Sequence, residues 1–203
     1  MLVLDVSASM DGEPIDELNV GVQQFIEAVL QDDFASYAVD LGILTFGGRV
    51  QEIVSIQSVQ KVEPPRFEAS SNTPMGEAVN KAIQILEKRK NEYKKSGVSY
   101  YQPWLVLMTD GIPTDSYKEA AKKLRDLATS RKMVVIVIGI GENCDMSLLS
   151  EFCAPDNLPK KLIGLEFREF FKWLSQSVGE VITKSTPGLE YQPTQATDGW
   201  EVF

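Results

Sequence analysis

The sequence predicts an α/β fold: a doubly wound, mostly parallel six-stranded sheet in the order 3-2-1-4-5-6, with strand 3 an antiparallel edge and helices on both faces. Three observations lead there. Short apolar runs alternate with longer segments whose apolar residues recur at three- and four-residue steps, as strands alternating with amphipathic helices do. Gly47-Gly48 joins two runs by a connection too short for a parallel return, which needs about a dozen residues. Two other runs end on a carboxylate, Asp5 and Asp110. Right-handed crossovers make those two strands central neighbours, so both acids fall at the carboxyl edge where the winding reverses. Ligands bind such sheets there.

Taken in order, residues 2–4 are a buried strand closed by Asp5. The chain begins inside what reads as a central strand, shorter than the usual five or six residues or so, consistent with a natural start upstream of Met1. Gly12-Glu13-Pro14 opens the first helix, Pro14 suiting its first turn, and Ile15, Leu18, Val22, Phe25, Ile26 and Val29 form its apolar face. Residues 39–46 are a buried strand and 50–58 an antiparallel edge strand. Residues 61–72 read as loop, with Pro64-Pro65 and Ser70-Ser71-Asn72. Thr73 as N-cap and Pro74 as N1 start the second long helix, with Met75, Val79, Ala82, Ile83 and Leu86 inward and a charged, solvated end at 87–95.

Trp104–Thr109 is the next strand, ending on Asp110-Gly111. Ser116 and Glu119 form a capping-box pair that opens a third helix with Ala120, Leu124, Leu127 and Ala128 inward. Residues 133–140 are a fully apolar strand. A short helix at 145–152 follows, then a loop with Pro155 and Pro159, a brief strand at Leu162-Ile163, and a last helix carrying Phe167, Phe170, Phe171, Leu174, Val178, Val181 and Ile182. Residues 1–184 thus read as one domain. Residues 185–203 lack periodicity and hold two prolines, so they read as an extended tail whose apolar end, 200–203, folds back onto the domain.

Composition bounds the function. At 203 residues and 43% hydrophobic content, a single domain can bury about 70% of its unfolded surface. No stretch approaches the roughly 20 apolar residues of a spanning helix, and Asp5 interrupts any signal-like run. A net charge of −9 argues against nucleic acid or an anionic membrane as partner, since both are bound through Lys and Arg. Two cysteines, Cys144 and Cys153, make no disulfide framework and read as reduced thiols of a cytoplasmic protein. The sequence has no histidine, and so lacks the commonest general base and transition-metal ligand.

The topology brings three loops together. One supplies Asp5, Ser7 and Ser9, the next Thr73, the last Asp110. Taken singly, Thr73 is a helix cap, Asp110-Gly111 a turn, and the serines ordinary loop residues. Together they form a hard-oxygen cluster of two carboxylates and three hydroxyls, which suits Mg²⁺, Mn²⁺ or Ca²⁺ rather than Zn²⁺ or Cu²⁺. Asp5-x-Ser7-x-Ser9, a distant Thr73, and Asp110 within Thr109-Asp110-Gly111 resemble the metal-ion-dependent adhesion site (MIDAS) of the von Willebrand factor type A (VWA) family, in order and at all five positions. The predicted strands agree over essentially the whole chain.

That resemblance implies a site for a divalent cation, usually Mg²⁺. It implies that Ser7, Ser9 and, in many ligand-bound forms, Thr73 touch the metal, while Asp5 and Asp110 often act through water. It gives Asp11 no ligand role, leaving that residue a solvated turn carboxylate. Within the family, Ser9-Met10-Asp11-Gly12-Glu13-Pro14-Ile15, Thr73-Pro74-Met75-Gly76 and Asp198-Gly199-Trp200 most resemble bacterial cytosolic proteins of the TerY type, associated with tellurite resistance and stress response.

The expected function is a non-enzymatic, metal-dependent protein-binding module whose ion is completed by an acidic residue of the partner. Two acids balance a divalent charge and three neutral hydroxyls add none, so the ion stays receptive to one more anionic oxygen. The alternative is a metal-dependent phosphotransfer or hydrolytic enzyme on a similar sheet. Against it, a haloacid-dehalogenase-type phosphatase needs a second Asp where Ser7 stands, and a receiver-type phosphoacceptor needs adjacent acids at that strand end. No G-x-x-x-x-G-K-[ST] loop is present, and no histidine exists to activate Cys144.

Overall fold

The computed structural model describes residues 1–142, 144–162, 166–187 and 201–202. Its strands are β1 (Leu2–Asp5), β2 (Asp40–Gly47), β3 (Arg49–Ser58), β4 (Trp104–Thr109), β5 (Val134–Ile140), β6 (Lys160–Leu162) and β7 (Glu201–Val202), and its helices α1 (Glu13–Gln31), α2 (Ala35–Ala38), α3 (Met75–Lys95), α4 (Lys118–Thr129), α5 (Met146–Ser150) and α6 (Phe167–Lys184). The six predicted strands stand in the predicted order, β3-β2-β1-β4-β5-β6. β1 runs parallel to β2 and β4, β5 parallel to β4 and β6, and β3 antiparallel to β2.

The central strands β1, β2, β4 and β5 are mostly apolar because both of their faces are covered, while the edge strand β3 is more polar and mostly exposed or half-buried. Side chains alternate along each strand, so Leu2 and Leu4 of β1, Val106 and Met108 of β4, and Ile136 and Ile138 of β5 face the layer built by α1 and α6. Val3, Leu105, Leu107, Val135 and Val137 face the layer of α3, α4 and α5. Phe25 of α1 meets Phe171 of α6 with ring centroids 6.0 Å apart, and Glu17 pairs with Arg168 across the same two helices.

The sequence expectations need several corrections. β7 adds a seventh strand, Glu201 pairing with Lys161 and Val202 with Lys160, so the sheet ends on a second antiparallel edge. Ile163, Asp198-Gly199-Trp200 and Phe203 lie outside the described residues. α2 has no periodicity to announce it; the Asp32 carboxylate starts it by accepting from the amides of Phe34 and Ala35 at 2.9 and 2.8 Å. α3 begins one residue later than predicted, with Pro74 at the cap position and no cap from the Thr73 hydroxyl. The Ser116–Glu119 capping box does not form either, because α4 opens at Lys118 behind Tyr117. Both misses have one cause, since residues 114–117 are engaged with the head of α3.

The charged end of α3 is only partly solvated. Arg89 and Tyr93 turn toward the start of β2, where Asp40 Oδ2 accepts from Arg89 Nε (2.9 Å), Arg89 Nη2 (2.6 Å) and Tyr93 Oη (2.5 Å). Among the described residues no helix is long and apolar enough to cross a membrane.

Candidate metal centre

Asp5 closes β1 in register with Phe46 of β2, between two parallel neighbours. Its carboxylate is fully buried. Oδ1 accepts from the Ser7 amide at 2.8 Å and Oδ2 from the Thr109 hydroxyl at 2.5 Å. This placement departs from a sheet-rim position, since only Asp110 of the two acids reaches the surface. The Val6 amide is still taken by Phe46 O of β2 at 3.0 Å, so the Ser7 amide is the next one and the backbone turns there to bring it to Asp5. A 3-10 turn at Ala8–Met10 then carries Ser9 over the sheet edge.

The hydroxyls of Ser7 and Ser9 lie 3.1 Å apart, and Ser9 Oγ donates to Asp110 Oδ1 at 2.8 Å across 101 residues of sequence. Thr73 joins by packing. A Cβ placed on Gly111 would stand in contact with both oxygens, 3.5 Å from Thr73 Oγ1 and 3.7 Å from Asp5 Oδ2. Ser7, Ser9 and Asp110 are thus joined by hydrogen bonds, with the Asp5 carboxylate and the Thr73 hydroxyl both beside Gly111 at the same sheet edge. Asp11 is exposed, as a turn carboxylate is.

Neighbouring loops hold this arrangement by main-chain bonds. Ser70 N donates to Val6 O at 2.7 Å, Ala8 N to Ser71 O at 2.9 Å and Gly48 N to Asn72 O at 2.8 Å. Gly47 permits the approach: its Cβ would lie 2.7 Å from the Val6 carbonyl carbon and 2.8 Å from Ser70 O, closer than real side chains come.

Burial pushes the Asp5 carboxyl up to about 6, against the lowering influence of its bonds from Ser7 and Thr109. Burial raises Asp110 as well, with the Ser9 bond opposing. Among the described residues no Lys or Arg forms an ion pair with either acid. Among the described residues no three His, Cys, Asp or Glu form one metal-capable group, and the hydroxyls of Ser9 and Thr109 donate to these two acids.

The sequence model of the von Willebrand factor type A domain matches residues 1–164. The chain belongs to the von Willebrand factor type A family. VWA domains are known for metal-dependent adhesion and protein interaction, and are generally not enzymes. One curated relative, uncharacterized protein sll0103 of Synechocystis sp., is 26% identical over 158 residues, covering 75% of this chain and 34% of the relative. The chain thus spans about a third of the length of that relative.

Solved VWA structures share the fold. Proximal thread matrix protein 1 of the mussel byssus, with a zinc-occupied MIDAS motif, superposes with a TM-score of 0.57 at 19% identity, covering 87% of this chain and 46% of that one. Manganese-loaded TRAP protein of Plasmodium vivax superposes with a TM-score of 0.57 at 21% identity, covering 83% and 69%.

Sequence reasoning missed three residues around the centre of this VWA domain. Thr109, fully buried, donates to Asp5. Thr114 Oγ1 accepts from the Thr73 amide at 3.1 Å, and Asp115 accepts from the first amides of α3. The signal for Thr109 was a hydroxyl as the last residue of a buried, otherwise apolar strand, which asks for a polar partner at the strand end.

Proposed function

We propose that this VWA domain holds one divalent cation, Mg²⁺ in its cellular setting, on Asp5, Ser7, Ser9, Thr73 and Asp110. Through that ion it engages a protein partner's Asp or Glu carboxylate. The observation that carries the reading is the closure of the cluster by Ser9 Oγ on Asp110 Oδ1 in front of a fully buried Asp5. A buried carboxylate without a cationic partner is costly, and here two acids face one spot with only hydroxyls between them. That donor set is hard, oxygen-only and balanced in charge against a divalent ion. When bound, the ion supplies an electrophilic position for one more anionic oxygen. The chain's own residues do the rest: Thr109 and the Ser7 amide orient Asp5, while Ser9 orients Asp110.

The zinc- and manganese-loaded VWA structures support a divalent ion in this fold, and Mn²⁺ or Ca²⁺ can substitute on the same donors. A net charge of −9 supports a protein partner over nucleic acid or membrane. The non-enzymatic reading is supported by both thiols being buried, with Cys144 pushed up to about 11 and Cys153 to about 12 by desolvation. The likeness of 9–15 and 73–76 to TerY-type proteins supports a cytoplasmic role in a bacterial stress or tellurite-resistance system. Residues 1–184 form the binding unit in this reading, with 185–203 as its tail.

Calorimetric titration with Mg²⁺ tests the assignment. One ion per chain is expected for the wild type and none for Asp110→Ala, with an unchanged circular dichroism spectrum. An Asp110→Ala protein that binds Mg²⁺ like wild type would sink it.

A further inference from the structure

The loop after Asp110 does more than carry that acid. Four residues on, Thr114 takes both main-chain groups of Thr73: its amide donates to Thr73 O at 2.9 Å, and its hydroxyl accepts from Thr73 N at 3.1 Å. The next residue, Asp115, accepts from Gly76 N at 3.0 Å through Oδ1 and from Glu77 N at 2.8 Å through Oδ2. Beyond it the chain lies flat against α3, where a Cβ on Gly76 would stand 2.7 Å from both Ser116 O and Tyr117 Cα. Residues 114–117 are thus joined to 73–77 by four hydrogen bonds and a contact that only glycine allows.

The first amides of a helix have no partner within it, and a local residue usually takes them. Here the cap position holds Pro74, whose side chain cannot accept. The acceptor comes from 38 and 39 residues downstream, on the same loop as Asp110. Its charge also meets the positive end of the α3 dipole. Thr73 and Asp110, which arise from different elements, are therefore tied into one rigid unit by groups that are not themselves in the oxygen cluster.

We infer that Thr114 and Asp115 are positioning residues for the metal centre, setting the spacing between the Thr73 hydroxyl and the Asp110 carboxylate. This rests on the metal-binding reading above. Mg²⁺ demands near-ideal octahedral geometry, so loosening the clamp disperses two donors that the ion needs together. Coupling between two equilibria is reciprocal, so a bound ion must also tighten the clamp.

The test combines Mg²⁺ titration by calorimetry with amide exchange at Gly76 and Glu77 followed by NMR. Asp115→Ala and Thr114→Val are expected to weaken Mg²⁺ binding by about tenfold, the scale seen when groups supporting metal ligands are lost. Asp115→Asn, keeping one carbonyl oxygen, should fall between Asp115→Ala and wild type, and Thr114→Ser should restore wild-type affinity. In the wild type, Mg²⁺ should slow exchange of the Gly76 and Glu77 amides. A purely structural cap would lower the melting temperature and leave both readouts unmoved. If Asp115→Ala does not fold, the Thr114→Val and Thr114→Ser pair decides. Wild-type binding with affinities in the folded variants unchanged within twofold overturns this inference alone. A wild-type chain that takes no Mg²⁺ overturns the metal reading and this inference with it.

Discussion

Ser9 is the residue on which the chemistry of the centre turns. Its hydroxyl touches both Ser7 and Asp110 while staying exposed, so in the proposed site it would offer an oxygen donor without charge. Replacing it by an acid alters the electrostatics more than the shape. Ser9→Asp is expected to tighten Mg²⁺ binding and weaken the partner, because the added carboxylate competes for the charge that the partner's acid would meet. Opposite charges at contact in a partly desolvated rim interact far more strongly than in bulk water. Two titrations decide it, metal first and partner at saturating Mg²⁺. A simultaneous rise of both affinities excludes completion of the site by a carboxylate.

The thiols sit at the opposite extreme. Cys144 and Cys153 are buried, and burial pushes them up to about 11 and about 12. The thiolate is the reactive form, and near pH 8 it is scarce in the folded state and common in the unfolded one. Ellman's reagent at pH 8 should therefore react slowly with native protein and take up two equivalents rapidly in guanidinium. Because the folded state holds these protons more tightly, stability should fall as pH rises above the ordinary thiol pKa, about 8.5. Fast reaction of the native protein at pH 8 would contradict the burial.

Among the elements, α3 is pinned at both ends by acids from elsewhere. Its head is held by Asp115 beside the proposed metal centre, and its tail by Asp40 at the start of β2, through Arg89 and Tyr93. β2 runs from Asp40 toward Phe46, which registers with Asp5, so the two anchors lie at opposite edges of the sheet. Removing the tail anchor should cost stability without disturbing the centre. Asp40→Ala is expected to lower unfolding free energy by about 2 kcal/mol, the scale of lost hydrogen bonds to a charged group, and to leave Mg²⁺ affinity unchanged. Urea denaturation and calorimetry on the same preparation check both halves. A tenfold loss of metal affinity would mean that the two ends of α3 communicate.

For the molecule as a whole, the doubly wound sheet directs β1 and β4 to deliver their ends to one edge, and three loops close over it. Partner contacts should concentrate there, around residues 9–13, 70–74 and 112–116. Ile112, 65% exposed two residues after Asp110, offers an apolar contact beside the acid. Hydrogen exchange with and without a partner in Mg²⁺ should show protection in these loops. Protection confined to the outer helices would place the interface elsewhere and separate it from the metal.

Strand order and the arrival of Asp5 and Asp110 at one sheet edge were legible in the sequence, because both rest on local facts. Apolar runs buried on both faces look alike wherever they occur, a Gly47-Gly48 turn forces an antiparallel neighbour, and a carboxylate at a strand end stays at the strand end. The family resemblance then named Ser7, Ser9 and Thr73 as companions to Asp5 and Asp110. The tertiary structure alone decided who supports that cluster. Thr109 was read as the last residue of an apolar strand, yet its hydroxyl orients Asp5 from 104 residues away. Ser116 and Glu119 carried the pattern of a local cap, but the backbone at Ser116 was already engaged with Gly76, and the helix began beyond it. Asp115 caps a helix that precedes it by 38 residues. Caps and carboxylate partners are chosen by distance in space, and a sequence pattern reports only distance along the chain. A buried amide is satisfied by whichever acceptor the fold brings within about 3 Å, and that choice is made when the sheet closes.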